Sequence, residues 1–110
     1  MQALIRASEI NRDSLSKFIG EIVTKCALLS NFSMDAVKIN IIVQELAKDI
    51  QTRFRLLELP EIEKAFNEGV GGNYGEYMGL SVVTFNKWLK AYIDSGEHQE
   101  YVASKVKELS

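Results

Sequence analysis

A single cysteine, Cys26, excludes any disulfide within the chain, so the fold must be held by its core and not by covalent staples. With one cysteine and one histidine, His98, the chain cannot supply the several Cys/His ligands of a structural zinc site. His98 is also the only histidine available to a Ser-His-Asp or Cys-His arrangement, and it lies in a polar Gly-Glu-His-Gln-Glu stretch far from Cys26. No uncharged apolar run approaches the ~18–20 residues of a membrane-spanning helix. Met1 to Ile10 lacks the basic start and apolar centre of a secretory signal, and a cytoplasmic location is the expectation. Proline occurs once, at Pro60, and glycine only once before it, at Gly20, which leaves long helices uninterrupted. A strong charge of one sign is missing too: the net charge is −2 and the pI ≈ 5.4. A dedicated nucleic-acid binder usually has a pI above ~9, so any contact with nucleic acid must be local.

What is present fits one soluble globular domain. The chain has 110 residues, 46% of them hydrophobic and 25% charged. A chain of this size buries roughly 60–70% of the surface it exposes when unfolded, enough for a core. Residues 1–57 carry a balance of +2 and residues 58–110 one of −4. An asymmetry this small reads as solvated helix faces.

Hydrophobic periodicity predicts helices throughout. Leu15, Phe18, Ile19, Ile22, Val23, Cys26 and Leu29 recur at three- and four-residue spacing, which predicts a helix over 12–29 capped by Asn11 or Asp13. Gly20 either weakens this helix or permits a close neighbour. Ile39, Val43, Leu46, Ile50, Phe54 and Leu57 predict a second helix over 34–57, capped by Ser33. Val37, Ile41 and Ile42 widen its stripe, so it is expected at the centre of the core, with apolar surface to spare for a partner. Pro60 opens a short helix with Ile62, Ala65 and Phe66 buried, and Gly69 is expected to stop it. Val82, Phe85, Leu89 and Tyr92, with Trp88, predict a helix to Ile93. A last helix over 97–109 carries Tyr101, Val102, Val106 and Leu109. The fold expected is an all-α single-domain bundle of four or five helices.

The most informative segment is residues 73–92, which resemble a helix-turn-helix. Gly75 stands where the first helix needs a small residue, and Gly79 where the turn needs a left-handed one. Leu80 plugs the core, Ser81 caps the second helix, and Phe85 and Trp88 point inward. On this template Val82 or Val83, with Asn86, Lys87 and Lys90, face outward, and Ser81 stands at the helix start. Asparagine can bond adenine bidentately and lysine can reach guanine or phosphate. Asn86 and Lys87 are therefore the expected base readers, and Ser81 and Lys90 the expected phosphate contacts on double-stranded DNA. Tyr74 and Tyr77, with Trp88, Tyr92 and Tyr101, offer an alternative: aromatic anchors for a protein partner or a second copy of the chain.

Other constellations have plainer explanations. Cys26 sits on an apolar helix face and reads as a small core residue. Glu58, Glu61 and Glu63 cluster at a helix start, where capping and the helix dipole favour acids, so a cation site is not expected. The glycines of 69–75 follow a helix and precede no Gly-Lys-Ser/Thr, unlike a phosphate-binding loop. Neither a cofactor, a metal nor an enzymatic activity is expected.

A broader resemblance rests on Ser33-Met34, Leu57-Glu58-Leu59, Glu61-Ile62, Phe66, Gly72-Asn73-Tyr74-Gly75, Tyr77, Thr84-Phe85, Trp88-Leu89 and Tyr92. Over residues 33–93 the chain resembles small helical proteins encoded by gut Bacteroidota, their phages and mobile elements. The resemblance implies a helical accessory protein, with no activity attached.

Overall fold

The computed structural model describes residues 6–109; the expectations for Met1 to Ile5 and for the side chain of Leu109 lie outside what is described. A 3₁₀ turn at Ala7–Glu9 precedes five helices: α1 (Arg12–Ser30), α2 (Ala36–Arg53), α3 (Leu59–Val70), α4 (Val82–Asp94) and α5 (Glu97–Leu109). The only β-type pairing among the described residues is an isolated bridge between Arg6 and Glu58. The fold is all-α, and no helix among the described residues is long and apolar enough to cross a membrane.

Local signals account for most helix ends. Asn11 caps α1 by accepting the Ser14 N–H at 2.9 Å, and Asn31 ends it in the left-handed region, with φ 59°. α2 is capped by Asp35 instead of Ser33, with the Lys38 N–H 2.7 Å from Oδ1. Phe32 and Met34 pack against the core just ahead of it, which keeps the chain extended until Asp35. α2 also stops at Arg53, short of the expected 57, because the N-terminal segment claims the following backbone. The Ala7 N–H bonds the Leu57 carbonyl at 2.8 Å, and Arg6 pairs with Glu58. Leu57 is still buried, but from a turn. Pro60 lies in the first turn of α3, as expected, and Glu61 accepts the Glu58 N–H at 3.0 Å.

Gly69 is not the stop of α3. It lies inside the helix and is buried, and a Cβ placed on it would stand 2.1 Å from Cδ2 of Trp88. Its smallness lets α4 approach. Gly20 differs, because a Cβ there would meet only Val43 Cγ2, at an ordinary 3.8 Å. Gly20→Ala should therefore gain helix propensity without a clash. We expect urea denaturation to show a rise of about 1 kcal/mol in unfolding free energy; a loss would mean that α1 and α2 are closer there than 3.8 Å implies.

Four helices close the core. α1 packs on α2 and α3, and α4 packs on the same two, with Leu15, Ile19, Leu46, Ile50, Ile62, Phe66, Phe85 and Leu89 fully buried between them. Cross-links fix the alternating directions. Arg12 bonds Gln51 at one end, while Phe32 and Tyr77 meet at the other with ring centroids 6.2 Å apart. α5 lies on α4 and buries none of its described side chains. The buried stripes are narrower than the spacing predicts: Leu29, Val37 and Ile41 are 62%, 70% and 58% exposed, and Val102 and Val106 are exposed on α5. A four-helix ring leaves no neighbour on those faces.

Candidate interaction site

The segment between α3 and α4 departs from the helix-turn-helix template. Residues 71–81 form turns and extended chain, so the first helix of that corner is absent at 73–80. Gly72 and Gly75 take positive φ (86° and 105°), whereas Gly79 does not. These two glycines break the chain immediately after α3, which has already used the residues a second short helix would need. The template's second half holds: Leu80 is buried, Ser81 caps α4 by accepting the Thr84 N–H at 3.2 Å, and Phe85 and Trp88 point inward.

The loop is pinned by its tyrosines. Tyr77 donates to the Val70 carbonyl at 2.7 Å and meets Trp88 edge-on, with centroids 5.0 Å apart. Tyr74 donates to Glu97 on α5 at 2.6 Å. Burial, then the bond to Glu97, pushes the Tyr74 hydroxyl above the ordinary tyrosine range. Burial alone would raise the Glu97 carboxyl, but hydrogen bonds from Tyr74, Ser95 and Lys64, with the Lys64 charge, bring it below its ordinary value. At neutral pH Tyr74 is therefore the donor and Glu97 the ionised acceptor. Because the folded value is lowered, this stabilisation is present above the ordinary carboxylate range and fades as pH falls through the folded value.

The expected DNA contacts have separate fates. The Ser81 hydroxyl is engaged in its cap. Asn86 is half-buried and donates to Asp49 Oδ2 on α2 at 3.0 Å, which ties α4 to α2. Val83, Lys87 and Lys90 are exposed at four- and three-residue spacing on one face, and neither lysine has a hydrogen-bond or ion-pair partner among the described residues.

The loop and the first turns of α4 enclose a groove of about 330 Å³ lined by Tyr74, Tyr77, Met78, Val83, Lys87 and Trp88, with Glu76 and Thr84. It joins residues that sequence reasoning had assigned to two separate surfaces. Met78 was missed altogether; it is 99% exposed, with Val83 at 66%. The signal was there, since an apolar residue in a glycine-rich turn has no helix face to serve. The same end of the bundle, where the α1–α2 turn meets this loop through Phe32 and Tyr77, also bears the exposed Leu28, Leu29, Val37 and Ile41.

A second cluster, also missed, clasps α5. Glu61 is 1% exposed and accepts from Tyr92 Oη at 2.9 Å, with His98 Nδ1 at 2.6 Å. Tyr101 donates to Glu58 at 2.9 Å, while Glu63 stays exposed. The capping role expected for Glu61 is present, but its neighbours come from 31 and 37 residues away, beyond any local pattern. No Ser, Thr or Cys side chain hydrogen-bonds His98 among the described residues. Cys26 is buried against the Phe66 carbonyl, and burial, partly offset by Lys25, pushes its thiol up to about 11. It is a core residue. No group of three or more metal-ligating side chains gathers among the described residues. Compared with protein-family models, curated proteins and solved structures, the chain finds no match.

Proposed function

We propose that this protein is a non-enzymatic interaction module that seats an apolar segment of a protein partner in the groove between residues 74–78 and the start of α4. The observation that carries the reading is Met78, wholly solvent-exposed on a loop that two tyrosines hold in place. Methionine adapts to varied apolar surfaces, and a pinned aromatic floor costs little ordering on binding. Lys87 and Glu76 both line the groove, so its charge is balanced and the apolar and aromatic side chains carry the recognition. The resemblance over residues 33–93 supports an accessory role for a phage, a mobile element or its host. A photo-crosslinking amino acid at position 78, in cells expressing the protein, should yield one discrete adduct that Val83→Glu abolishes. An adduct of twice the chain's mass would identify a second copy as the partner. Absence of any adduct above that of a probe at exposed Lys48 would refute the reading.

A second reading, double-stranded DNA, draws on the outward row of Val83, Lys87 and Lys90. Fluorescence anisotropy with duplex DNA at ~50 and ~200 mM salt separates the two, because phosphate contacts weaken steeply with salt. Duplex binding lost in Lys87→Glu and Lys90→Glu would favour DNA over the groove.

A further inference from the structure

The opposite end of the bundle has a different chemistry. Three of the chain's four arginines, Arg6, Arg53 and Arg55, line a cavity of about 620 Å³ together with His98. They arrive from separate places: the residue before the 3₁₀ turn, the last turn of α2, the segment after α2, and the first turn of α5. Among the described residues no carboxylate lines this cavity, although the protein as a whole is net negative. Neighbouring acids are already engaged, Glu61 with Tyr92 and His98, and Glu58 with Tyr101.

The cations themselves are poorly compensated. Arg55 has no side-chain hydrogen bond or ion pair among the described residues. Among the described residues the Arg6 side chain pairs only with Glu9, at 4.0 Å and with both side chains more than half exposed, a pairing worth little in water. The Arg53 guanidinium lies 5.4 Å from the Phe54 ring centroid. Phe54 and Leu57, both buried, give the cavity an apolar floor. His98 turns Nδ1 toward Glu61, and Nε2 has no partner among the described residues. The C-terminus of α2 brings a partial negative charge of about 0.5, which three full guanidinium charges outweigh.

We propose that this cavity binds a small phosphomonoester carrying a flat apolar body, the chemistry of a nucleoside monophosphate. Guanidinium forks match phosphate oxygens bidentately and stack on planar rings, which ammonium groups do not. The volume lies within the ~300–1,000 Å³ of small-ligand sites. The phosphate meets Arg6 and Arg55, and the flat group lies on the Arg53–Phe54 face.

Isothermal titration calorimetry on the full chain at ~50 mM salt, with AMP, GMP, CMP and UMP, tests this, with adenosine and inorganic phosphate as the two half-ligands. At least one nucleotide should bind, with either half-ligand about tenfold weaker or worse. Arg53→Gln and Arg55→Gln should each weaken binding about tenfold, and leave thermal melting unchanged because both side chains are exposed. No saturable heat up to about 5 mM of any nucleotide would overturn the proposal. So would binding unaltered in the double variant, or phosphate binding as tightly as the nucleotide, since the apolar floor would then contribute nothing.

Discussion

Replacing Glu61 with alanine is expected to lower the unfolding free energy by about 3 kcal/mol, near the low end for removing one partner of a buried polar cluster. The substitution strands three groups at once. The Tyr92 hydroxyl loses its acceptor at 2.9 Å, His98 loses its partner at 2.6 Å, and the Glu58 N–H loses its cap at 3.0 Å. Tyr92 is itself buried, so its hydroxyl pays the desolvation cost in full, while His98 is partly open to water and its share is discounted. For a chain of this size the melting temperature should fall by roughly 10–15 °C. The loss has a local signature as well. α5 buries none of its described side chains and is held by polar bonds from His98, Tyr101 and Glu97, so amide exchange across 97–109 should rise more than in α1–α4. Glu61→Gln, which keeps an acceptor and adds a donor, should lose distinctly less. If Glu61→Ala melts like the unaltered protein, the clasp contributes nothing to stability.

Gly69→Ala is the second large effect, and its sign opposes helix propensity. Alanine in a helix interior gains ~1 kcal/mol over glycine. Here the added Cβ would stand 2.1, 2.3 and 2.6 Å from Cδ2, Cγ and Cε2 of Trp88. Those atoms are the root of the indole and not its far edge, and the ring is wedged edge-on between Tyr77 at 5.0 Å and Phe85 at 5.2 Å. Tyr77 and Phe85 restrict its movement on two sides. Overpacking typically costs 1–3 kcal/mol and sits at the upper end where the root of a ring is struck, so after the propensity gain the net expectation is a loss of about 1–2 kcal/mol. Trp88 is the only tryptophan, so its emission should shift with the substitution even in the folded state. Because Trp88 also floors the groove, crosslinking from position 78 should weaken in step. A variant as stable as the unaltered protein would place Trp88 elsewhere than over Gly69. Set beside the expected gain at Gly20, the pair separates propensity from packing at two glycines of the same class.

Much of the architecture is written in short-range patterns. The 3.6-residue spacing of Leu15, Ile19, Ile22, Val23 and Cys26, and of Val43, Leu46 and Ile50, specifies helices because a single face must leave water whichever neighbour covers it. The caps at Asn11 and Ser81 and the place of Pro60 depend on the few residues around them, and they stand where sequence reasoning put them. Which apolar residues stay in water was decided otherwise. Leu29, Val37 and Ile41 match the buried residues in chemistry and differ only in that no helix lies over them, which follows from how four helices close into a ring. The end of α2 was likewise decided at long range, by the N-terminal segment bonding the backbone at 55–58. Both candidate sites are tertiary objects. Met78 shares a groove with Val83 and Lys87 only because Gly72 and Gly75 reverse the chain, and Arg6 joins Arg53, Arg55 and His98 only because helix ends from distant parts of the chain meet. Side-chain periodicity records what each helix must bury; it carries no record of which helix ends come together, and there the exposed methionine and the poorly compensated arginines lie.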